Sequence, residues 1–151
     1  MSFRVLIPAR LGSTRLPGKP LIEINGRTMI HRVYQNCLAS GADDVLVATD
    51  AESIKNEVES FGGNACLTSS NLASGSDRVA RAIVKQGFTN DQVIVNVQGD
   101  EPFLSAKVIR QVGEQVCGEK EYVATVYEDC SEKMAKDANI VKVVTDHENF
   151  A

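Results

Sequence analysis

The sequence predicts an α/β protein built on a Rossmann-like, doubly wound, mostly parallel sheet. Three observations carry that expectation. Apolar runs of strand length alternate with segments of helical period, and the connections between them are short. The run Val93-Ile94-Val95-Asn96-Val97 is almost continuously apolar, as a parallel strand covered on both faces must be.

Taken in order, Val5-Leu6-Ile7 is a first strand that ends at Pro8. Met29, Ile30, Val33, Tyr34, Cys37 and Leu38 recur at helical spacing, and Gly41 is a stop signal. Asp43-Asp44 leads into the strand Val45-Leu46-Val47-Ala48. Asp50 is placed to cap the next helix, whose stripe is Ile54, Val58 and Phe61 before Gly62-Gly63. A short strand is expected near Ala65–Leu67, then a helix marked by Val79, Ile83 and Val84 and stopped near Gly87. Ser105 caps a helix carrying Val108, Ile109, Val112 and Val116, and strands near Tyr122–Val126 and Ile140–Val144 complete the pattern. No linker, repeat or low-complexity stretch interrupts it. The chain stops at Ala151, just after a strand and without a closing element, which reads as a fragment of a single α/β domain.

A chain of 151 residues can bury a core without staples. Its net charge of -4 argues against nucleic acid as a partner, which calls for a basic surface. Cys37, Cys66, Cys117 and Cys130 form no C-x-x-C pair and have no histidine cluster nearby, so neither structural zinc nor a disulfide framework is expected. No apolar stretch has the length of a membrane span and no signal-peptide pattern opens the chain, so the expectation is a cytoplasmic protein that uses no membrane.

In open α/β sheets ligands bind beyond the carboxyl ends of the strands. Three stretches should therefore meet: Pro8-Ala9-Arg10, Thr49-Asp50, and Gln98-Gly99-Asp100-Glu101-Pro102. The loop from Arg10 to Pro20 carries Arg10, Arg15 and Lys19, with Gly12, Gly18, Ser13 and Thr14 among them. Glycines let backbone N–H groups approach an anion, and the cations can neutralise a triphosphate and a departing pyrophosphate. The loop is no Walker A motif, since five residues separate Gly12 from Gly18 and Pro20 follows Lys19; the dinucleotide fingerprint is absent too. Asp100, at a strand end beside a glycine, is the candidate ligand for Mg²⁺, against the alternative of a turn aspartate; Glu101 orients the turn. Ser74-Gly75-Ser76-Asp77-Arg78 opens a helix, and its hydroxyls can cap that helix, contact a nucleobase, or do both. His31 reads as a surface or packing histidine, and His147 is uninformative.

The same stretches resemble the CMP-KDO synthetase (3-deoxy-manno-octulosonate cytidylyltransferase) family. The likeness runs through Ile7-Pro8-Ala9-Arg10, Ser13 to Leu21, Gly26 with Met29-Ile30, and Ala48-Thr49-Asp50. It continues in Ser74 to Arg78, Val95 to Pro102, Asn139 and Val141-Lys142-Val143-Val144. Ser76-Asp77 stands for the more usual Thr-Glu, and Leu72 stands where a histidine is common. The resemblance implies the nucleotide-diphospho-sugar transferase type of fold and a Mg²⁺-dependent nucleotidyltransferase. Its reaction would move CMP from CTP to the eight-carbon acidic sugar KDO and release pyrophosphate, in lipopolysaccharide precursor synthesis. By position, Arg10, Ser13, Arg15 and Lys19 would contact the triphosphate. Ala9, Ser74, Gly75 and Gln98 would line the cytidine pocket with Arg78 in support, and Asp100 would hold the metal. Arg10, Lys19 and Asp100 are thus the candidate catalytic residues. Residues 1–151 would be the nucleotide-binding portion, without the C-terminal segment for sugar binding and dimerisation of a homodimeric parent. The chain alone is then expected to bind CTP weakly and turn over poorly. A cytidylyltransferase for the 8-amino analogue of KDO is the nearest alternative, with a sialic acid enzyme ranked lower for want of a glycine- and lysine-rich first loop. A non-catalytic nucleotide-binding module is the alternative of a different class.

Overall fold

In the computed structural model, residues 2–12, 16–118 and 123–147 are described. Strand β1 (Phe3–Ala9) is followed by a single 3-10 turn, Lys19–Leu21, and a small antiparallel hairpin of β2 (Glu23–Ile24) and β3 (Arg27–Thr28). The hairpin turns on Asn25 and Gly26, both with positive φ (48° and 73°), the two-residue turn whose twist suits paired strands. Helix α1 (Met29–Ala39), β4 (Asp44–Thr49), α2 (Glu52–Ser60), β5 (Asn64–Leu67), α3 (Gly75–Gln86), β6 (Val93–Asn96), α4 (Ala106–Gly118) and the short α5 (Glu132–Ala135) follow.

The main sheet runs β5-β4-β1-β6, with every pair parallel. Along β1 the side chains alternate between faces, as a pleated strand requires. Phe3, Val5, Ile7 and Ala9 join Ile30, Val33, Cys37, Ile54, Val58 and Ile109 in a core beneath α1, α2 and α4. Leu6 points the other way, to Leu46, Ala48, Cys66 and the α3 residues Val79 and Ala82. Covering both faces is what demands uninterrupted apolar strands. The chain moves outward from β1 through β4 to β5, then returns to the far side of β1 as β6. The order therefore reverses between β1 and β6, which puts a crevice at their carboxyl ends.

Helix starts follow local chemistry. Thr28 accepts the His31 N–H at 3.3 Å ahead of α1, and Ser105 accepts that of Val108 at 3.3 Å ahead of α4. The expected cap at Asp50 is not formed: Ala51 occupies the N-cap of α2 with no side-chain bond, because the Asp50 carboxylate is drawn to other partners. Leu38 and Val84, placed in helical stripes by spacing, are largely exposed on the outer edges of α1 and α3. Phe61 lies just past the end of α2 and packs on the core, where His31 stacks on it at 4.1 Å between ring centroids. Burial and the neighbouring Arg27 cation hold the His31 imidazole below its ordinary pKa, against the Glu57 carboxylate, while Arg32 adds to the lowering.

The strands expected near Tyr122–Val126 and Ile140–Val144 are absent among the described residues 123–147 (Tyr122 lies outside them). A strand needs a ladder partner, and here Val123, Val126, Val141, Val143 and Val144 face solvent with no pairing. Among the described residues, no helix is long and apolar enough to cross a membrane.

Candidate active site

A cleft of about 610 Å³ opens at the carboxyl ends of β1 and β6. Its wall from the β1 side is Pro8, Ala9 and Arg10; the 3-10 turn adds Lys19 and Pro20, with Leu16 just before it. The start of α3 supplies Leu72, Ala73, Ser74, Gly75 and Arg78, and the turn after β6 supplies Gln98, Gly99 and Asp100. Every described residue to which the resemblance gives a site role thus borders one cavity, whereas Thr49 and Asp50, expected at the same crevice, do not line it. Ser13 and Arg15 lie outside the described residues.

The basic loop leaves β1 and comes back as a closed unit. Gly18 donates its N–H to the Leu11 carbonyl at 3.1 Å, and Leu21 to that of Gly18 at 2.9 Å. This return sets Lys19 beside the β6 turn, where its Nζ meets Asp100 Oδ2 at 2.7 Å. One of the three loop cations and the candidate metal-binding carboxylate are therefore in contact, although 81 positions apart in the chain. Both side chains keep access to solvent, so the pair is screened and weak, of order 1 kcal/mol or less. It can be exchanged for stronger partners.

The Gln98–Leu104 turn is fastened at several points. Glu101 N–H closes on the Gln98 carbonyl at 3.3 Å, and Asn36 of α1 donates to the Pro102 carbonyl at 2.9 Å. Glycine is required within it: a Cβ on Gly99 would lie 2.9 Å from the Pro8 carbonyl oxygen, so any side chain would push β1 and the turn apart. Across the cleft, a Cβ on Gly75 would stand 3.2 Å from the Pro8 ring and 3.3 Å from Gln98 Oε1. Small residues keep the floor narrow there.

Ser74 is the N-cap of α3, in a full capping box. It accepts the Asp77 N–H at 3.1 Å, while Asp77 Oδ2 takes the Ser74 N–H at 3.0 Å and its hydroxyl at 2.7 Å. Of the roles open to this segment, capping is formed. Arg78, 3% exposed, sits one turn further, beneath the cleft. It donates to Thr68 Oγ1 at 2.5 Å, to the Ser69 carbonyl at 3.3 Å and to Asp50 Oδ2 at 3.0 Å. Sequence reasoning placed Asp50 at this end of the sheet and missed its partner. Pro8, Leu16 and Pro20 lay in stretches expected at the crevice, but their role as apolar walls, with Leu72, was not foreseen.

Comparisons with known proteins agree with this architecture. The family model described as cytidylyltransferase matches residues 4–151. A solved structure of CMP:2-keto-3-deoxy-manno-octonic acid synthetase complexed with CTP superposes with a TM-score of 0.71 at 36% identity, covering 78% of this chain and 48% of that one. A nucleotidyl transferase from Methanothermobacter thermautotroptrophicus gives a TM-score of 0.65 at 19% identity, over 75% of this chain and 57% of its own. Rv0371c from Mycobacterium tuberculosis, in complex with manganese, gives 0.56 at 14% identity, over 78% and 60%. The last two likenesses carry the fold alone. This chain spans about half the length of the synthetase it matches. On the family match and the identity to the synthetase, the chain belongs to the cytidylyltransferase family, within which it is related to the CMP-KDO synthetases.

Proposed function

We propose that this chain carries the CTP site of an enzyme that transfers CMP to KDO and releases pyrophosphate. The observation that supports this most is the meeting of Lys19 and Asp100 at one cleft whose other wall is the start of α3. A nucleotide laid across it would put its base against Ala9, Ser74, Gly75 and Gln98, with Arg78 supporting that wall from below. Its phosphates would face Arg10 and Lys19, joined by Ser13 and Arg15. The kinship with a synthetase that binds CTP supports the choice of nucleotide, and the sugar named for that protein supports KDO.

Asp100 is the residue that would hold a divalent cation, which we take to be Mg²⁺. The donor set suits it. Among the described residues no group of three or more histidine, cysteine or acidic side chains gathers anywhere, whereas a hard cation held by one carboxylate and by phosphate oxygens needs none. Held there, the ion would supply charge neutralisation on the phosphate oxygens. The rest of the work falls to this chain's own groups. Lys19 neutralises Asp100 in this structure; a triphosphate would offer Lys19 a doubly charged partner and free the carboxylate for a cation. Arg10 and Lys19 then stabilise the pyrophosphate that departs as the sugar hydroxyl attacks the α-phosphorus in line. No covalent enzyme intermediate is required.

Calorimetric titration tests this reading. CTP with Mg²⁺ should bind in preference to ATP and NAD, and Asp100→Asn should cost about tenfold in affinity with Mg²⁺ present and little without it. Preference for ATP or NAD, or an Asp100→Asn variant that keeps full Mg²⁺-dependent affinity, would contradict it. Pyrophosphate release by the protein that carries this chain, with KDO, its 8-amino analogue and a sialic acid compared side by side, assigns the acceptor. Binding of CTP with no release for any acid would leave a non-catalytic nucleotide module.

A further inference from the structure

Asp50 directly follows β4, which ends at Thr49, and does not border the cleft. Its carboxylate nevertheless reaches both walls. Oδ1 accepts the Leu11 N–H at 3.2 Å, and Oδ2 accepts from Arg78 Nη2 at 3.0 Å. Leu11 is the residue at which the basic loop closes on itself, since its carbonyl accepts the Gly18 N–H at 3.1 Å. One peptide unit on either side of Leu11 therefore fixes where Arg10 leaves β1 and where Lys19 returns. The side chains concerned are shielded from water, 14% exposed for Asp50 and 3% for Arg78, so solvent screening takes little from the ion pair between them.

We infer that Asp50 is a positioning residue that ties the basic loop to the base of α3, so that the chain's grip on the β- and γ-phosphates depends on a carboxylate that touches no part of the nucleotide. This rests on the reading of the cleft as a CTP site. A plain fold-stabilising ion pair would make a different prediction, because its loss would weaken every ligand of the cleft alike.

The test compares CTP with CMP. Wild-type chain should bind CTP more tightly than CMP, the difference being what the loop contributes. Asp50→Ala should weaken CTP by roughly tenfold while weakening CMP by less than about threefold, and Leu11 N–H should lose its protection from hydrogen exchange. Asp50→Asn keeps the size of the side chain and an acceptor toward Leu11 but gives up the charge that holds Arg78, so it should show the same CTP-selective loss at a smaller size; it serves as the folded variant should Asp50→Ala fail to fold. Equal losses for CTP and CMP, in whichever variant folds, overturn the inference and leave the CTP reading intact. A wild-type chain that does not prefer CTP to CMP sinks both.

Discussion

Arg78 shows what a single residue can decide. Its guanidinium is almost wholly buried and shares one carboxylate, one hydroxyl and one carbonyl. Removing one member of such a pair strands the other charge away from water, at a cost of about 3–5 kcal/mol. Arg78→Met should therefore lower unfolding stability by about that amount in urea titration, although methionine fills much of the space; a loss below about 1 kcal/mol would show that Asp50 is better solvated than its 14% exposure indicates. The cysteines give an independent check at the same scale. Burial pushes the Cys37 thiol up to about 12, from an ordinary value of 9.0, and raises Cys66, whereas Cys130 is exposed. A thiol-directed reagent at pH 8 should label Cys130 quickly and Cys37 only on unfolding. The sign for stability follows. The folded state holds the Cys37 proton more tightly than the unfolded chain does, so this contribution is complete below pH 9 and is lost as pH rises toward 12. Cys37→Ala should flatten that alkaline decline, and labelling of Cys37 at the Cys130 rate would contradict the placement. The Arg78–Asp50 pair was not legible in the sequence. An aspartate just ahead of a helix looks the same whether it caps that helix or meets an arginine 28 positions away, and only the fold distinguishes them.

At the scale of elements, the start of α3 is both a structural joint and a cleft wall. The Ser74–Asp77 capping box satisfies donors that would otherwise be orphaned at the helix end. Ser74→Ala should cost about 1 kcal/mol in stability, with Ser74→Thr close to neutral; an unchanged urea midpoint for alanine would mean that water replaces the hydroxyl without loss. Capping was one of the roles that the sequence left open at this joint, since a hydroxyl followed three residues later by an acid ahead of an apolar stripe is the pattern of a capping box. The hairpin at Asn25-Gly26 carried an equally clear turn signal, but its strands are two residues long, too short for any alternation to be seen. The segments around Val123 and Val141 fail for the opposite reason. Their composition suits strands, but a strand is defined by its neighbour, and composition does not supply one.

For the molecule as a whole, the legible part was the sheet and the end of it at which chemistry gathers. Uninterrupted apolar runs can be satisfied only by burial on both faces, and parallel strands put all their carboxyl ends on one side. That geometry brings Arg10, Lys19, Gln98 and Asp100 together from the loop after β1 and the turn after β6, far apart in sequence. What the runs do not specify is how the loops close, and the Lys19–Asp100 contact and the Leu11 clasp had to come from the structure. The central claim is that these strand tips form one nucleotide site. Backbone amide chemical shifts measured during titration with CTP and Mg²⁺ test it most directly. The account predicts that Arg10, Lys19, Gly75, Gln98 and Asp100 shift together along one saturation curve, while Asn64 and Phe88, which border a separate pocket with Asp44, stay still. Shifts confined to that second pocket, or split between curves of different midpoint, would contradict it.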